Sequence, residues 1–264
     1  MLWALGGAPL LLGCPRNIEI RSLARLQPED LSADPVELAR LADELEARGD
    51  AASLEDALVV RTKILTLASS YDAAWRLARA AFVIADDAVG DAARQRRAKF
   101  ANLGIDHARK AIALDGRGVE GPYYLAINLG LLASTKTLGA VEILPEMLKH
   151  GKRAAEIDPK FDHAGPLRLI GALLIKAPGW PASVGDPEEG GEHLARAVEL
   201  APEYPENHLF FCEALLANDK VVEAQKECAA VLAAPLDPAW ERRLPRWRAE
   251  AEHLGAKIRK RLGG

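Results

Sequence analysis

Three histidines, His107, His150 and His193, recur every 43 residues, and three cysteines, Cys14, Cys212 and Cys228, hold the thiol chemistry of the chain. Evenly spaced histidines serve a metal only if their nitrogens converge on one ion at about 2 Å each. Equivalent positions on neighbouring packed helices lie about 8–10 Å apart, so the spacing reads as a repeated polar position, and neither a metal nor a cofactor is expected. Cys212 and Cys228 flank the turn at Asn218-Asp219 and face each other if the segment is a helical hairpin. A disulfide there needs Cα atoms within about 7 Å and an oxidising compartment; two buried, thiol-bearing hydrophobes is the simpler expectation. Their spacing lacks the close ligand pairs of a zinc site. The chain carries no Gly-x-Ser-x-Gly, no Gly-x-x-x-x-Gly-Lys-Ser/Thr and no His-Glu-x-x-His, the arrangements that place a nucleophile, a phosphate cradle or a catalytic zinc. Gly49-Asp50, Gly90-Asp91 and Gly185-Asp186 read as helix stops followed by N-caps. The paired acids Asp86-Asp87 and Glu188-Glu189 suit helix ends. No enzyme is expected.

The third cysteine is of another kind. Met1 to Gly13 carries no charged side chain and ends in Leu10-Leu11-Leu12-Gly13-Cys14. That run is too short to span a bilayer, which takes about 20 apolar residues, but has the length of a signal-peptide core. Leu11-Leu12-Gly13-Cys14 looks like a bacterial lipobox without the usual basic residues ahead of it. The expectation is that Cys14 is lipidated and anchors the chain at a membrane, with residues 1–14 as the signal-like segment and 15–34 as a tether.

Elements that could position such residues are helices. The chain has 264 residues, 49% apolar, 27% charged and only 5% aromatic, with 48 Ala and 39 Leu. Ala and Leu are strong helix formers, and β-branched and aromatic residues are scarce, which argues against an all-β fold. The apolar share is too large for a disordered chain. A net charge of −4 offers no basic excess for nucleic acid.

Internal repetition organises the chain. His107-Ala-Arg-Lys-Ala111-Ile-Ala-Leu-Asp115, His150-Gly-Lys-Arg-Ala154-Ala-Glu-Ile-Asp158-Pro159 and His193-Leu-Ala-Arg-Ala197-Val-Glu-Leu-Ala201-Pro202 are copies of one helix end. Ala224 to Leu232 and Ala57 to Leu67 are weaker copies. Between them lie second helices with small residues of their own: Ala74, Ala78 and Ala81, then Gly130, Gly171 and Cys212. The alternation resembles the tetratricopeptide (TPR) repeat, in which small residues let two helices of a hairpin approach and bulky ones fill the gap between hairpins. The expected fold is all-α, a superhelical TPR-like array over 35–262. Its hairpins fall at about 35–69, 71–115, 119–158, 162–201 and 205–235, two of them stretched by insertions. A capping helix at about 237–262, kinked or interrupted at Pro245, has the basic end Lys257-Ile-Arg-Lys-Arg261.

A longer stretch, Leu144-Pro-Glu-Met147, Glu156-Ile-Asp-Pro-Lys-Phe-Asp162, Leu169-Ile-Gly171, Ala177-Pro-Gly-Trp180-Pro-Ala-Ser-Val-Gly185-Asp186 and Ala197-Val-Glu-Leu-Ala-Pro202, resembles the TatT-type family of bacterial TPR-like lipoproteins, partners of some TRAP (tripartite ATP-independent periplasmic) transporters. The resemblance covers about 95–235. It implies a non-enzymatic, lipid-anchored protein on the periplasmic side of a bacterial membrane. Its partner would be a periplasmic solute-binding protein or another envelope protein, and an apolar small molecule could be its cargo. A general scaffold in an envelope or cytoplasmic assembly, and a homo-oligomer, stay open.

Partner or ligand contacts are expected on the first helix of each hairpin, which lines the concave face of such an array. Tyr123, Tyr124, Asn128, Arg168, Asn207 and Phe211 are its aromatic and polar members, with His208 beside them, and a groove uses mixed groups of this kind. Trp180, between Pro178 and Pro181 in a loop, joins them, since loops carry function disproportionately.

Overall fold

The computed structural model describes residues 22–90 and 92–263; Cys14 and the signal-like segment lie outside them. Eleven α-helices among the described residues pair into five antiparallel hairpins and a cap. They are α1 (Pro35–Arg48) with α2 (Ala51–Leu67), α3 (Tyr71–Asp86) with α4 (Ala93–Leu114), and α5 (Glu120–Ser134) with α6 (Leu144–Ile157). Then come α7 (Phe161–Lys176) with α8 (Pro187–Leu200), α9 (Pro205–Ala217) with α10 (Val221–Ala233), and the capping α11 (Leu244–Gly263). The hairpin limits read from the repeat hold throughout.

Local chemistry sets these limits. Gly49 ends α1 in a left-handed conformation at φ 68°, which glycine adopts without a Cβ clash. Asp50 then caps α2 by accepting from the amides of Ala52 and Ser53. Asp186 caps α8 in the same way through the amides of Glu188 and Glu189. Of the third expected stop, Gly90 is left-handed at φ 83°, and Asp91 lies outside the described residues.

The repeat position is a packing position. Ala111, Ala154 and Ala197 have no exposed surface, and Cys228 at the equivalent place is 3% exposed. Four residues before it, His107, His150 and His193 are half-buried on α4, α6 and α8, and burial depresses the pKa of His107 and His150. Helices α7 and α8 cross where glycine faces glycine: a Cβ on Gly171 would lie 2.5 Å from Leu194 Cγ and 2.8 Å from the Gly190 carbonyl.

Three expectations change. Residues 22–34, read as tether, are docked: Ser22 Oγ and the Leu23 amide donate to Glu55 at 2.7 and 2.6 Å. The amides of Arg25 and Leu26 donate to Asp56 at 2.6 and 2.9 Å, and Leu26 and Leu31 pack against Leu38, Ala42 and Val60. The cap starts at Leu244, not near 237, and Pro245 sits in its first turn, where no amide donor is required, so it starts the helix and does not kink it. Cys212 and Cys228 are not separate hydrophobes but a disulfide across the α9–α10 hairpin, with Cα atoms 5.5 Å apart. Trp247 and Ile258 of α11, each 1% exposed, close the core over this hairpin.

Candidate functional site

The first helices of successive hairpins carry a continuous row of aromatic and ionic side chains. Trp75 of α3 stacks on Tyr124 of α5 with centroids 5.9 Å apart and planes 3° from parallel. Tyr123 meets Phe161 edge-on at 5.2 Å and donates its hydroxyl to Asp162 Oδ2 at 2.5 Å. Arg168 Nη1 donates to Asn207 Oδ1 at 2.8 Å and to the His163 carbonyl at 3.1 Å. Its Nε pairs with Glu206 at 3.2 Å, and its guanidinium lies 4.8 Å over the Tyr204 ring. Glu206 also accepts from Trp247 Nε1 at 3.1 Å. The His163 ring stacks on Tyr204 at 4.4 Å.

This row holds a strained piece of backbone. Asp162, His163 and Ala164 follow one another in the left-handed region, at φ 49°, 55° and 60°, where each non-glycine residue costs about 1–2 kcal/mol. Arg168 and Asn207 hold the turn from inside, because Asn207 Nδ2 also donates to the His163 carbonyl, at 3.0 Å. The right-handed part of α7 then begins around Pro166, which lacks the amide that a first turn leaves unused.

Burial sets the electrostatics. Burial works against the Arg168 charge, but Glu206, with Tyr123, Tyr204 and Asp162 around it, more than offsets this and holds the guanidinium above its ordinary pKa. Burial, then Asp162, pushes the Tyr123 and Tyr124 hydroxyls upward. Arg168, Tyr123, Asp162, Asn207 and Glu206 partner one another: the row is built to hold shape, with tyrosines that stay protonated.

The sequence-predicted residues therefore divide. Tyr123, Arg168 and Asn207 belong to one network, and Tyr124 adjoins it. Asn128 lies deeper and apart, donating to the Tyr124 carbonyl at 2.7 Å while its Oδ1 is buried without a partner. Asn128 and Asn207 have no exposed surface, so neither meets an outside molecule in this conformation. Phe211 packs half-buried against the C-terminal core. Trp180 stands outside this network, in the α7–α8 loop, and is 88% exposed.

Of the groups that remain reachable on this face, Arg76 and Arg79 beside Trp75 read in the sequence equally as a site for an anionic group or as a charged outer face, while His163 and Glu203 gave no signal. Arg76 extends over the Trp75 ring at 4.6 Å, Arg79 pairs with Glu46 at 2.9 Å, and His163 lies 3.6 Å from Glu203. Arg76, Arg79, Asp162, His163 and Glu203 keep between 36% and 58% of their side-chain surface exposed. The Asp-Pro-x-Phe-Asp turn that contains Asp162 was a further signal in the sequence. The face is bounded at the far end by Arg242, which donates to the Gly49 carbonyl at 2.5 Å, and by Arg246, 3.4 Å from Asp86. Through these two side chains the start of the cap reaches back to the first two hairpins.

A cleft of about 170 Å³ between α1, α2 and α3 is lined by Asp43, Arg61, Asp72 and Arg76. It is small, and Ala39, Ile64 and Ala73 complete its lining. Among the described residues, no cluster of three or more metal-ligating side chains occurs.

Fold and face together define a TPR-like superhelical array, a class whose curvature presents extended concave binding surfaces. Residues 182–242 match the tetratricopeptide repeat family. The thermophilic TPR protein TTC0263 of Thermus thermophilus superposes with a TM-score of 0.62 at 17% identity, over 84% of this chain and 98% of that one. PilF of Pseudomonas aeruginosa superposes with a TM-score of 0.55 at 17% identity, over 87% of this chain and 92% of that one. At such identity these likenesses establish the fold alone. No curated protein sequence matches the chain.

Proposed function

We propose that this chain is a non-enzymatic docking scaffold that binds a protein partner across the face of α3, α5, α7 and the start of α9. The observation that carries the reading is the division of labour on that face. The ionic-aromatic row from Trp75 to Trp247 is locked internally, while Arg76, Arg79, His163 and Glu203 stay available around it. A rigid floor with charged, half-exposed groups above it is how an interface fixes register and selects charge. The same packing argues against an apolar cargo, because the positions that would line an axial channel, Tyr123, Asn128 and Asn207, are filled.

In its finer form the reading makes the protein a lipoprotein anchored through Cys14 on the periplasmic side of a bacterial membrane. It would there serve a TRAP-type uptake system by receiving its solute-binding protein. The Cys212–Cys228 disulfide supports an oxidising compartment, and the TatT-type resemblance supports the partner. The test is photo-crosslinking from position 76 or 203 in native cells, with a control position on the outer helix α8, followed by mass identification. The reading expects one protein captured from the first-helix face only, and capture lost on Arg76→Glu/Arg79→Glu. Equal capture from α8 refutes the docking face. A captured protein that is no solute-binding protein refutes the TRAP role and leaves the scaffold.

A further inference from the structure

We propose that the start of the cap is a clasp that holds the superhelix closed across its docking face, and that the protein partner binds the unclasped form. The inference rests on the docking face proposed above and adds its control. The chain between α10 and α11 forms no regular helix and lies against the first helices of earlier hairpins. Trp240 is buried edge-on to the Tyr204 ring at 5.7 Å and to that of His163 at 6.1 Å. Arg243 Nη1 lies 3.5 Å from the Tyr204 hydroxyl. Burial works against the Arg243 charge, but Tyr204, Glu206, Asp162 and Asp86 hold its guanidinium above its ordinary pKa. Those three acids belong to α9, α7 and α3, so the segment crosses the groove.

Two further arginines complete the crossing. Arg242 Nη2 donates to the Gly49 carbonyl at 2.5 Å and lies 3.5 Å from Asp87, while Arg246 lies 3.4 Å from Asp86. The site that receives them is built from two helix ends. Helix α1 stops at Gly49 and α3 at Asp86, so both present the negative end of their dipoles beside two carboxylates. Gly49 is fitted to its partner, since a Cβ there would come within 2.0 Å of Arg242 Nη1. The residues joined in this way stand 155 to 193 positions apart in the chain.

The bridge is suited to opening. The cap helix itself packs on α9 and α10, and it meets the first two hairpins through these side chains. Arg242, Arg246 and Asp87 are half-exposed. Ion pairs this wet are weak and screened by salt, so two of them favour the closed form only about 5–30-fold.

The docking groups lie on both sides of the crossing. Arg79 stands about two turns before Asp86 on the same face of α3, and the His163 ring lies against Trp240. A partner that touches Arg76 and Arg79 together with His163 and Glu203 meets the clasp between them. A closed form unfit to bind lowers the apparent affinity by the fraction that is open, and releasing it restores that factor.

The test opens the clasp from either side, with Arg242→Ala/Arg246→Ala on the cap and Asp86→Asn/Asp87→Asn on α3. Spin labels at Ala47→Cys on α1 and Ala249→Cys on α11, in the full chain with Cys14→Ser, read the distance across it. Photo-crosslinking from position 76 in native cells reads the docking face. Each variant is expected to bring out a second, longer label distance, as is about 0.5 M salt on the wild type. Each is also expected to raise the yield of the same captured protein at least about threefold. A label distance that neither the variants nor salt change overturns the clasp. Opening without a rise in capture overturns the control and leaves the docking face standing. No capture from position 76 in any of the chains overturns the docking face, and this inference with it.

Discussion

Arg168 separates a structural role from a binding role, and the structure gives the size of the effect. Its side chain is 7% exposed and its partner Glu206 13%. Arg168→Met keeps the volume and removes the charge, leaving Glu206 buried with the Trp247 indole as its remaining named donor. Removing one member of a buried pair costs about 3–5 kcal/mol, because the other charge is left uncompensated. The variant also frees the carbonyl of Asp162, which Arg168 holds at 3.5 Å, and leaves that of His163 to Asn207 alone. Three left-handed residues store about 3–6 kcal/mol, so the turn then relaxes and returns part of that strain. A net loss of about 3 kcal/mol follows, equivalent to a fall in Tm of roughly 6–12 °C at this chain length. Unfolding in denaturant, followed by circular dichroism for the wild type, Arg168→Met, Glu206→Gln and the double variant, gives the coupling directly. The double variant should recover at least about 1.5 kcal/mol over the sum of the singles, since it leaves no lone buried charge. A single variant that loses less than about 1 kcal/mol, with coupling near zero, refutes the clamp and returns Arg168 to the partner-binding surface.

Reduction of the Cys212–Cys228 bond, or Cys212→Ala with Cys228→Ala, reopens a loop with a sequence separation of 16. Loop-closure entropy then costs about 3 kcal/mol, read as an earlier C-terminal unfolding transition; identical curves with and without reductant defeat this. His208 places Nδ1 2.6 Å from Glu227 and Nε2 2.7 Å from the Pro202 carbonyl, two acceptors that only the doubly protonated ring satisfies. The hydrogen bond to Glu227 raises its pKa above the ordinary histidine value, so its stabilisation is complete below about pH 6.5 and is lost as pH rises through the folded value. Wild type should therefore lose stability relative to His208→Gln as pH is raised from 6 to 8.5, and a constant difference between the two overturns the assignment. Gly171→Ala drives a methyl to 2.5 Å from Leu194 Cγ and 2.8 Å from the Gly190 carbonyl. Overpacking of about 1–3 kcal/mol exceeds the gain in helix propensity of about 1 kcal/mol, and a stabilised variant would show that α7 and α8 do not cross this closely.

Legibility followed the range of the interaction. Helix limits were readable because their causes are local: Asp50 and Asp186 cap within three residues. Ala111, Ala154 and Ala197 were readable because a repeat forces one packing solution at each copy. The docking of residues 22–34 was not, since it depends on Glu55 and Asp56, 30 to 33 residues away. The candidate site was legible in membership and not in orientation. Arg168 and Asn207 stand 39 residues apart on successive first helices, and a first helix in a solenoid has one face toward the groove and another toward the next hairpin. Residue type cannot separate the two, because a polar side chain is stable on either if a partner waits for it. Here the partners wait inside: Glu206, the His163 carbonyl and Asp162 absorb Arg168 and Asn207, and the burial that follows removes them from any surface. The groups left to meet a partner are those whose own ion pairs are half in solvent, Arg76, Arg79 and Glu203. In the sequence Arg76 and Arg79 read equally as an anion site or as a charged outer face, and only the locked floor beneath these groups gives them fixed positions from which to select.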